Sequence, residues 1–151
     1  MNTEQQPYLV ERNRGYFEYQ LPVSVKVVLN LSGMIPLLKN EREEWELPGG
    51  KLELKETPES TALREVEEEL GLEANKLTGL QIVDSWVYEI FVHRHVFVVS
   101  YGAEYLGTKR PRLSNEHKEL GLFPYEDISA LNMPQPYKRT IDSWRIRHTV
   151  N

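Results

Sequence analysis

The chain has 151 residues, an apolar fraction of 40% and a net charge of −5 at pH 7, values that are typical of one compact globular domain. The negative charge argues against a general nucleic-acid-binding protein, but a nucleotide substrate stays compatible because a metal ion can neutralise phosphate charge locally. The absence of cysteine excludes disulfides, thiolate metal sites and thiol nucleophiles.

The hydropathy of the chain favours a cytoplasmic protein without a membrane partner. Residues 1–7 are polar and lack the apolar core of a signal peptide, so they are predicted to form a flexible tail before a single domain over residues 8–151. No segment approaches the ~20 apolar residues that a membrane-spanning helix needs.

The first part of the chain is predicted to be extended. Aromatic and β-branched residues are frequent over residues 16–31, and residues 23–27 alternate as a strand does. Gly33 breaks this run, and residues 34–38 are predicted to form a returning strand. A turn follows at Pro48-Gly49-Gly50.

The clearest helix is predicted over residues 58–70. Thr57 is a good N-cap, Pro58 suits the first helical position, and Gly71 suits the position just past the helix end. Apolar residues at helical spacing give it one buried side, namely Ala62, Leu63, Val66 and Leu70.

The second half of the chain continues the alternation of strands and helices. Residues 80–91 and 95–105 are predicted to pair as a hairpin, and the polar segment 107–120 is predicted to be a loop. Residues 125–131 predict a short helix and residues 136–147 a C-terminal helix. This order predicts a layered α/β domain rather than an all-β one.

Three carboxylates share one face of the predicted helix. Glu65, Glu68 and Glu69 stand at i, i+3 and i+4 beside the apolar side, and only Arg64 can offset Glu68 from within the helix. Like charges at this spacing cost about 0.2–0.5 kcal/mol per pair on an exposed helix. Hard divalent cations prefer such oxygen ligands. The cluster is therefore either a metal platform for a phosphate substrate or an acidic, solvated helix face.

The segment from Gly50 to Leu72 resembles the Nudix box over its full length. Its order is Gly, five residues, Glu, seven residues, Arg-Glu, an aliphatic residue, any residue, Glu-Glu, any residue, Gly and an aliphatic residue, and no position departs from it. The preceding Trp-Glu-Leu-Pro-Gly of residues 45–49 is similar to the usual lead-in. The resemblance implies an α/β/α sandwich with a mixed β-sheet.

The resemblance also implies an activity, which is metal-dependent hydrolysis of a phosphoanhydride bond in a nucleoside diphosphate linked to another group. The implied cofactor is Mg²⁺ or Mn²⁺, bound by Glu65, Glu68, Glu69 and the carbonyl of Gly49. Substrates left open are dinucleoside polyphosphates, ADP-ribose or another nucleotide sugar, and nucleoside triphosphates. The alternative is a non-catalytic Nudix-like module that senses a nucleotide or binds a protein.

The resemblance implies supporting roles for four further positions of the Nudix box. Glu56 and Arg64 match positions that usually form a structural ion pair, and Arg64 is a catalytic candidate only in second place. Gly50 and Gly71 match backbone roles at the loop and at the helix end.

The general base is left open between two places in the chain. Some relatives use a box glutamate, here Glu68, and others use a glutamate on a later loop, for which Glu116 is the best candidate. Glu116 could instead be a fourth metal ligand or a solvated loop charge, and Glu119 is the fallback.

Substrate contacts are predicted outside the box. Tyr88 could stack on a base or simply pack in the sheet. The basic cluster of Lys109, Arg110 and Arg112 could meet phosphates or be a solvated loop. A homodimer with a contribution from residues 8–20 is expected from the resemblance alone.

Overall fold

A computed structural model describes residues 9–91, 94–115, 117 and 119–149. Its strands are β1 (Leu9–Asn13), β2 (Tyr16–Tyr19), β3 (Val23–Asn30), β4 (Met34–Lys39), β5 (Trp45–Glu46), β6 (Gly49–Lys51), β7 (Leu77–Phe91), β8 (Arg94–Tyr105) and β9 (Glu119–Pro124). Its α-helices are α1 (Pro58–Leu70), α2 (Tyr125–Ile128) and α3 (Gln135–Thr149). No helix among these residues has both the length and the apolar character needed to cross a bilayer.

A mixed four-stranded sheet lies at the centre of the fold, with the strand order β6-β3-β8-β7. Strands β3 and β8 run parallel, from the pair Val23 and Phe97 to the pair Asn30 and Glu104. The other two pairings are antiparallel. The predicted hairpin is confirmed, because β7 and β8 are consecutive in the chain and adjacent in the sheet.

Helices cover both faces of this sheet. Val25, Val27 and Leu29 of β3 pack in one core with the apolar side of α1. Val28, on the alternate face of the same strand, packs with Trp144 and other residues of α3. Because successive side chains of a strand point to opposite faces, this division builds the α/β/α sandwich that the sequence predicted.

A second, three-stranded sheet has the order β5-β4-β9. The strand predicted over residues 34–38 forms as β4, which follows β3 after a bridge between Leu31 and Met34 and pairs with β5 on one side and β9 on the other. The predicted loop over residues 107–120 was slightly too long, because Glu119 already begins β9. Strand partners depend on distant segments, so local alternation could not reveal them.

Helix α1 has the bounds that the sequence predicted, and its ends explain why. The Thr57 hydroxyl accepts a hydrogen bond from Ser60 N at 3.1 Å, and the Ser60 hydroxyl accepts one from Thr57 N at 3.0 Å. This reciprocal capping box fixes the first turn. At the other end Gly71 takes a left-handed conformation, with φ of 66°, as residues just past a helix often do.

Candidate active site

Two adjacent glycines bring the backbone of β6 against both β3 and α1. Gly49 pairs with Lys26, and Gly50 pairs with Val25. A Cβ atom on Gly49 would lie 2.0 Å from the carbonyl oxygen of Val25, and one on Gly50 would lie 2.2 Å from a carboxylate oxygen of Glu65. A side chain is therefore excluded at Gly49, which meets the backbone of β3 and has φ of 146°, whereas a side chain at Gly50 would have to displace the Glu65 carboxylate.

The three box carboxylates differ in burial. Glu65 and Glu69 are only 8% and 5% exposed, whereas the Glu68 side chain is 59% exposed. Glu69 Oε2 accepts a hydrogen bond from Gly49 N at 3.1 Å, which ties the helix to the glycine loop. Burial raises the pKa of the Glu69 carboxyl, although nearby Lys26 and the Gly49 N–H act against this rise.

Arg64 connects these carboxylates to the loop before the helix. Its guanidinium makes a two-point contact with Glu56, at 2.7 and 3.0 Å, and donates to the carbonyl of Lys51 at 3.1 Å. It also donates to Glu65 at 2.9 Å and to Glu68 at 3.0 Å. The hydrogen bonds from Arg64 lower the pKa of Glu56 to about 2.

The donor chemistry suits a hard divalent cation. The single guanidinium of Arg64 lies within 4.0 Å of four carboxylates, those of Glu53, Glu56, Glu65 and Glu68. A fifth carboxylate, that of Glu69, is buried on the same helix as Glu65, so acidic groups outnumber the guanidinium here. Carboxylate oxygens are ligands that Mg²⁺ and Mn²⁺ accept. Within the described residues no three acidic or histidine side chains already converge as a closed metal cage. The fit therefore rests on the type and charge of the donors.

A cavity of about 310 Å³ opens on the α3 face of the central sheet. Tyr88 and Tyr137 form an aromatic wall, with ring centroids 6.2 Å apart. Lys26 and Glu46 also line the cavity, and Lys26 is 9% exposed. Sequence reasoning did not single out Lys26, because alternation within a strand does not show that α3 covers this face of the sheet.

Glu46 connects the cavity to the loop that precedes β9. Its Oε1 lies 3.1 Å from Nε2 of His117, and its Oε2 accepts a hydrogen bond from Asn40 at 3.3 Å. Burial alone would raise the pKa of Glu46, but the hydrogen bonds with His117 and Asn40 and the nearby charge of Lys26 outweigh it and lower that pKa. Glu46 is therefore a half-buried carboxylate that stays ionised.

A sequence model of the NUDIX domain matches residues 20–144. The chain belongs to the Nudix family. The match includes the glycine loop, α1, the four-stranded and three-stranded sheets and most of α3, so it extends far beyond the Nudix box.

Individual relatives match over shorter stretches. The chain is 48% identical over 48 residues to an 8-oxo-dGTP diphosphatase of Proteus vulgaris, covering 32% of this chain and 43% of that protein. It is 63% identical over 40 residues to an ADP-ribose pyrophosphatase of Bacillus subtilis, covering 26% of this chain and 22% of that protein. These matches therefore span less than half the length of either relative.

A solved structure shows the same fold over most of the chain. The Ap4A hydrolase of C. elegans superposes with a TM-score of 0.75 and 19% identity, covering 85% of this chain and 98% of that one. At this identity the likeness concerns the fold.

The other residues predicted for this Nudix site lie in several places. Tyr88 lines the cavity. Arg112 lies at the C-terminal end of α1, where its N–H donates to the carbonyl of Leu70 at 2.8 Å and its side chain lies beside Gly71. It lines a second pocket together with Glu68. Lys109 and Arg110 are exposed and are not among the described residues that line the cavity.

The structure describes only one of the two loop candidates for the general base. Glu116 lies outside the described residues. Glu119 begins β9, where its carboxylate lies 3.4 Å from the ammonium of Lys39. The choice between Glu116 and Glu68 stays a prediction.

Proposed function

We propose that this Nudix protein is a divalent-metal-dependent pyrophosphohydrolase acting on a nucleoside diphosphate linked to another group. The observation that carries the proposal is the pair of nearly buried carboxylates, Glu65 and Glu69, held against the Gly49-Gly50 loop. Burying two like charges is costly unless a cation compensates them. Mg²⁺ or Mn²⁺ is the proposed cofactor.

The proposed reaction is attack by water on one phosphorus of the diphosphate. A new P–O bond forms, the bridging P–O bond breaks, and the leaving phosphate takes the electron pair. When bound, the metal supplies charge neutralisation and a lower pKa for coordinated water. Arg64 and Glu56 hold the carboxylates of the helix in position. Glu68, the exposed member of the cluster, or Glu116 takes the proton from the attacking water.

The cavity is proposed to receive the nucleoside or the group attached to the diphosphate. Tyr88 and Tyr137 offer the aromatic surface on which a planar base can stack. The further phosphates of a longer substrate are proposed to contact the basic side chains of Lys109, Arg110 and Arg112. Dinucleoside polyphosphates, ADP-ribose or other nucleotide sugars, and nucleoside triphosphates all fit this description.

The test is a substrate panel assayed with Mg²⁺ or Mn²⁺ in ¹⁸O-labelled water, with the products identified by mass spectrometry. We expect turnover of at least one class, and we expect Glu69→Gln to reduce it by about a hundredfold or more. Glu67→Gln is the matched control, because Glu67 is exposed on the same helix and its contact with Ala74 N needs only an acceptor oxygen.

Two results would contradict the proposal. One is near-normal turnover by the Glu69→Gln variant. The other is a wild type that binds nucleotides but hydrolyses none of the panel, which would favour the non-catalytic sensing or protein-binding module instead.

A further inference from the structure

Lys26 is an unusual residue for its place in the fold. It interrupts the apolar strand β3, yet its side chain is only 9% exposed and lines the cavity. Its pairing with Gly49 puts it directly beside the glycine loop of the carboxylate site. The residue therefore borders both the cavity and the reaction site.

Among the described residues, the ammonium of Lys26 is not paired with an acidic side chain. A carboxylate lies in the same cavity, since Glu46 is part of the lining. In the described part of the chain, however, no carboxylate oxygen lies within 4.0 Å of its ammonium nitrogen. An ammonium group has three donors, so these remain available to a ligand.

The charged side chains that line the cavity favour an anionic ligand. The protein as a whole is acidic, with a net charge of −5. The described lining nevertheless contains four basic residues and one acidic residue, Glu46, the basic ones being Lys26, Arg42, Lys51 and Arg94. Arg42 is already paired with Glu44 at 2.9 Å, and Lys51 and Arg94 are exposed. Lys26 is thus the buried cation of the cavity.

We propose that the ammonium of Lys26 binds a phosphate oxygen of the substrate, at the phosphate that adjoins the group held in the cavity. The assignment of the ligand as a phosphorylated substrate rests on the proposed function. Lys26 would then couple the two parts of the site, because one charge orients the diphosphate and also fixes which end of it faces the cavity. A ligand without a phosphate gains nothing from this residue.

The test measures binding of imidodiphosphate, a diphosphate analogue with a P–N–P bridge, in the presence of Mg²⁺ by calorimetry. We expect Lys26→Met to weaken binding at least about tenfold, because a hydrogen bond to a charged group is lost. Lys26→Arg should retain most of the affinity, since it keeps the charge. Lys76→Met is the matched control, because Lys76 is exposed on the turn after α1 and outside the described cavity lining.

Adenosine is the second probe, because it offers a base and a sugar without phosphate. We expect Lys26→Met and the wild type to bind adenosine with equal affinity. An equal loss of affinity for both probes would overturn the phosphate contact. So would unchanged imidodiphosphate affinity in the Lys26→Met variant, or an absence of imidodiphosphate binding by the wild type.

A measurement on the wild type covers the case in which Lys26→Met does not fold. In protein labelled with ¹³C at the lysine side chains, imidodiphosphate should shift the Lys26 Cε resonance and leave that of Lys76 in place. An unmoved Lys26 resonance at saturation would overturn the proposal. None of these readouts requires turnover, so a protein that binds the analogue through Lys26 but hydrolyses nothing would refute the proposed function alone.

Discussion

At the scale of single residues, Gly50 sets the position of a buried carboxylate. The three atoms nearest to a Cβ at this position all belong to the Glu65 carboxylate, the nearest at 2.2 Å. We expect Gly50→Ala to fold, because a side-chain end can move aside, but to displace Glu65 and abolish most of the hydrolytic turnover. The measurements are the hydrolytic turnover and the thermal midpoint of unfolding. Gly79→Ala does not serve as a control for this substitution, because Gly79 has a positive φ and an alanine there would strain the backbone.

Glu65→Gln is the variant to compare with Gly50→Ala, because it keeps the glycine and removes the negative charge of the Glu65 carboxylate. Both variants should lose affinity for Mg²⁺ in a calorimetric titration while retaining the far-ultraviolet circular dichroism of the wild type. Full Mg²⁺ affinity in the Gly50→Ala variant would show that the Glu65 carboxylate is not held by this close approach.

Glu56 gives the molecule a dependence of stability on pH. Its hydrogen bonds with Arg64 lower its pKa from 4.5 to about 2. A carboxyl whose pKa falls on folding stabilises the protein above its ordinary pKa, and this contribution is lost as the pH falls through the folded value. We therefore expect the contribution at pH 7 to disappear between about pH 4.5 and pH 2.

Urea unfolding of the wild type and of Glu56→Gln at several pH values measures this effect. The variant should be less stable at pH 7, and the difference between the two proteins should shrink towards pH 2. A difference that is constant over this range would mean that Glu56 acts by packing rather than by its charge.

At the scale of elements, the capping box determines where α1 begins. The Thr57 hydroxyl accepts the hydrogen bond from Ser60 N, and loss of such a cap costs about 1 kcal/mol. We expect Thr57→Ala to lower the free energy of unfolding by about this amount. Thr57→Ser keeps the hydroxyl and should stay close to the wild type, so equal destabilisation by both substitutions would contradict the role of the cap.

At the scale of the whole molecule, one sheet lies between two hydrophobic cores, and we expect these cores to unfold in one transition. The core under α3 contains Ile141 and Trp144, both fully buried, and the core under α1 lies on the other face. We expect Ile141→Ala to lower the free energy of unfolding by about 3 kcal/mol, because it leaves a cavity in packed surroundings. Tryptophan fluorescence reports on the core under α3, because Trp45, Trp86 and Trp144 all pack there, and it should show one transition coincident with that of circular dichroism.

Ile141→Val is the conservative control and should cost about 1 kcal/mol. The affinity for Mg²⁺ should be unchanged in both variants, since the carboxylates belong to α1 on the opposite face. Loss of the fluorescence signal at lower denaturant than the circular dichroism would show instead that the two faces unfold separately. The expected homodimer through residues 8–20 stays a prediction at this scale.

The sequence by itself determined the parts of this protein whose signals are local. Thr57, Pro58 and Gly71 mark the ends of α1, because capping depends on residues within one turn. The i, i+3, i+4 spacing places Glu65, Glu68 and Glu69 together on that helix, and the full motif from Gly50 to Leu72 indicated the Nudix family. The family model confirmed that assignment.

Only the tertiary structure decided which distant segments meet. The sequence predicted strand β4 but not its partners, β5 and β9, because pairing depends on segments elsewhere in the chain. Helix α3 covers one face of the sheet and so makes Lys26, which the sequence did not single out, a buried cation in the same cavity as Glu46 and Tyr137. Burial is set by what packs against a residue, and that partner can lie a hundred residues away in the chain.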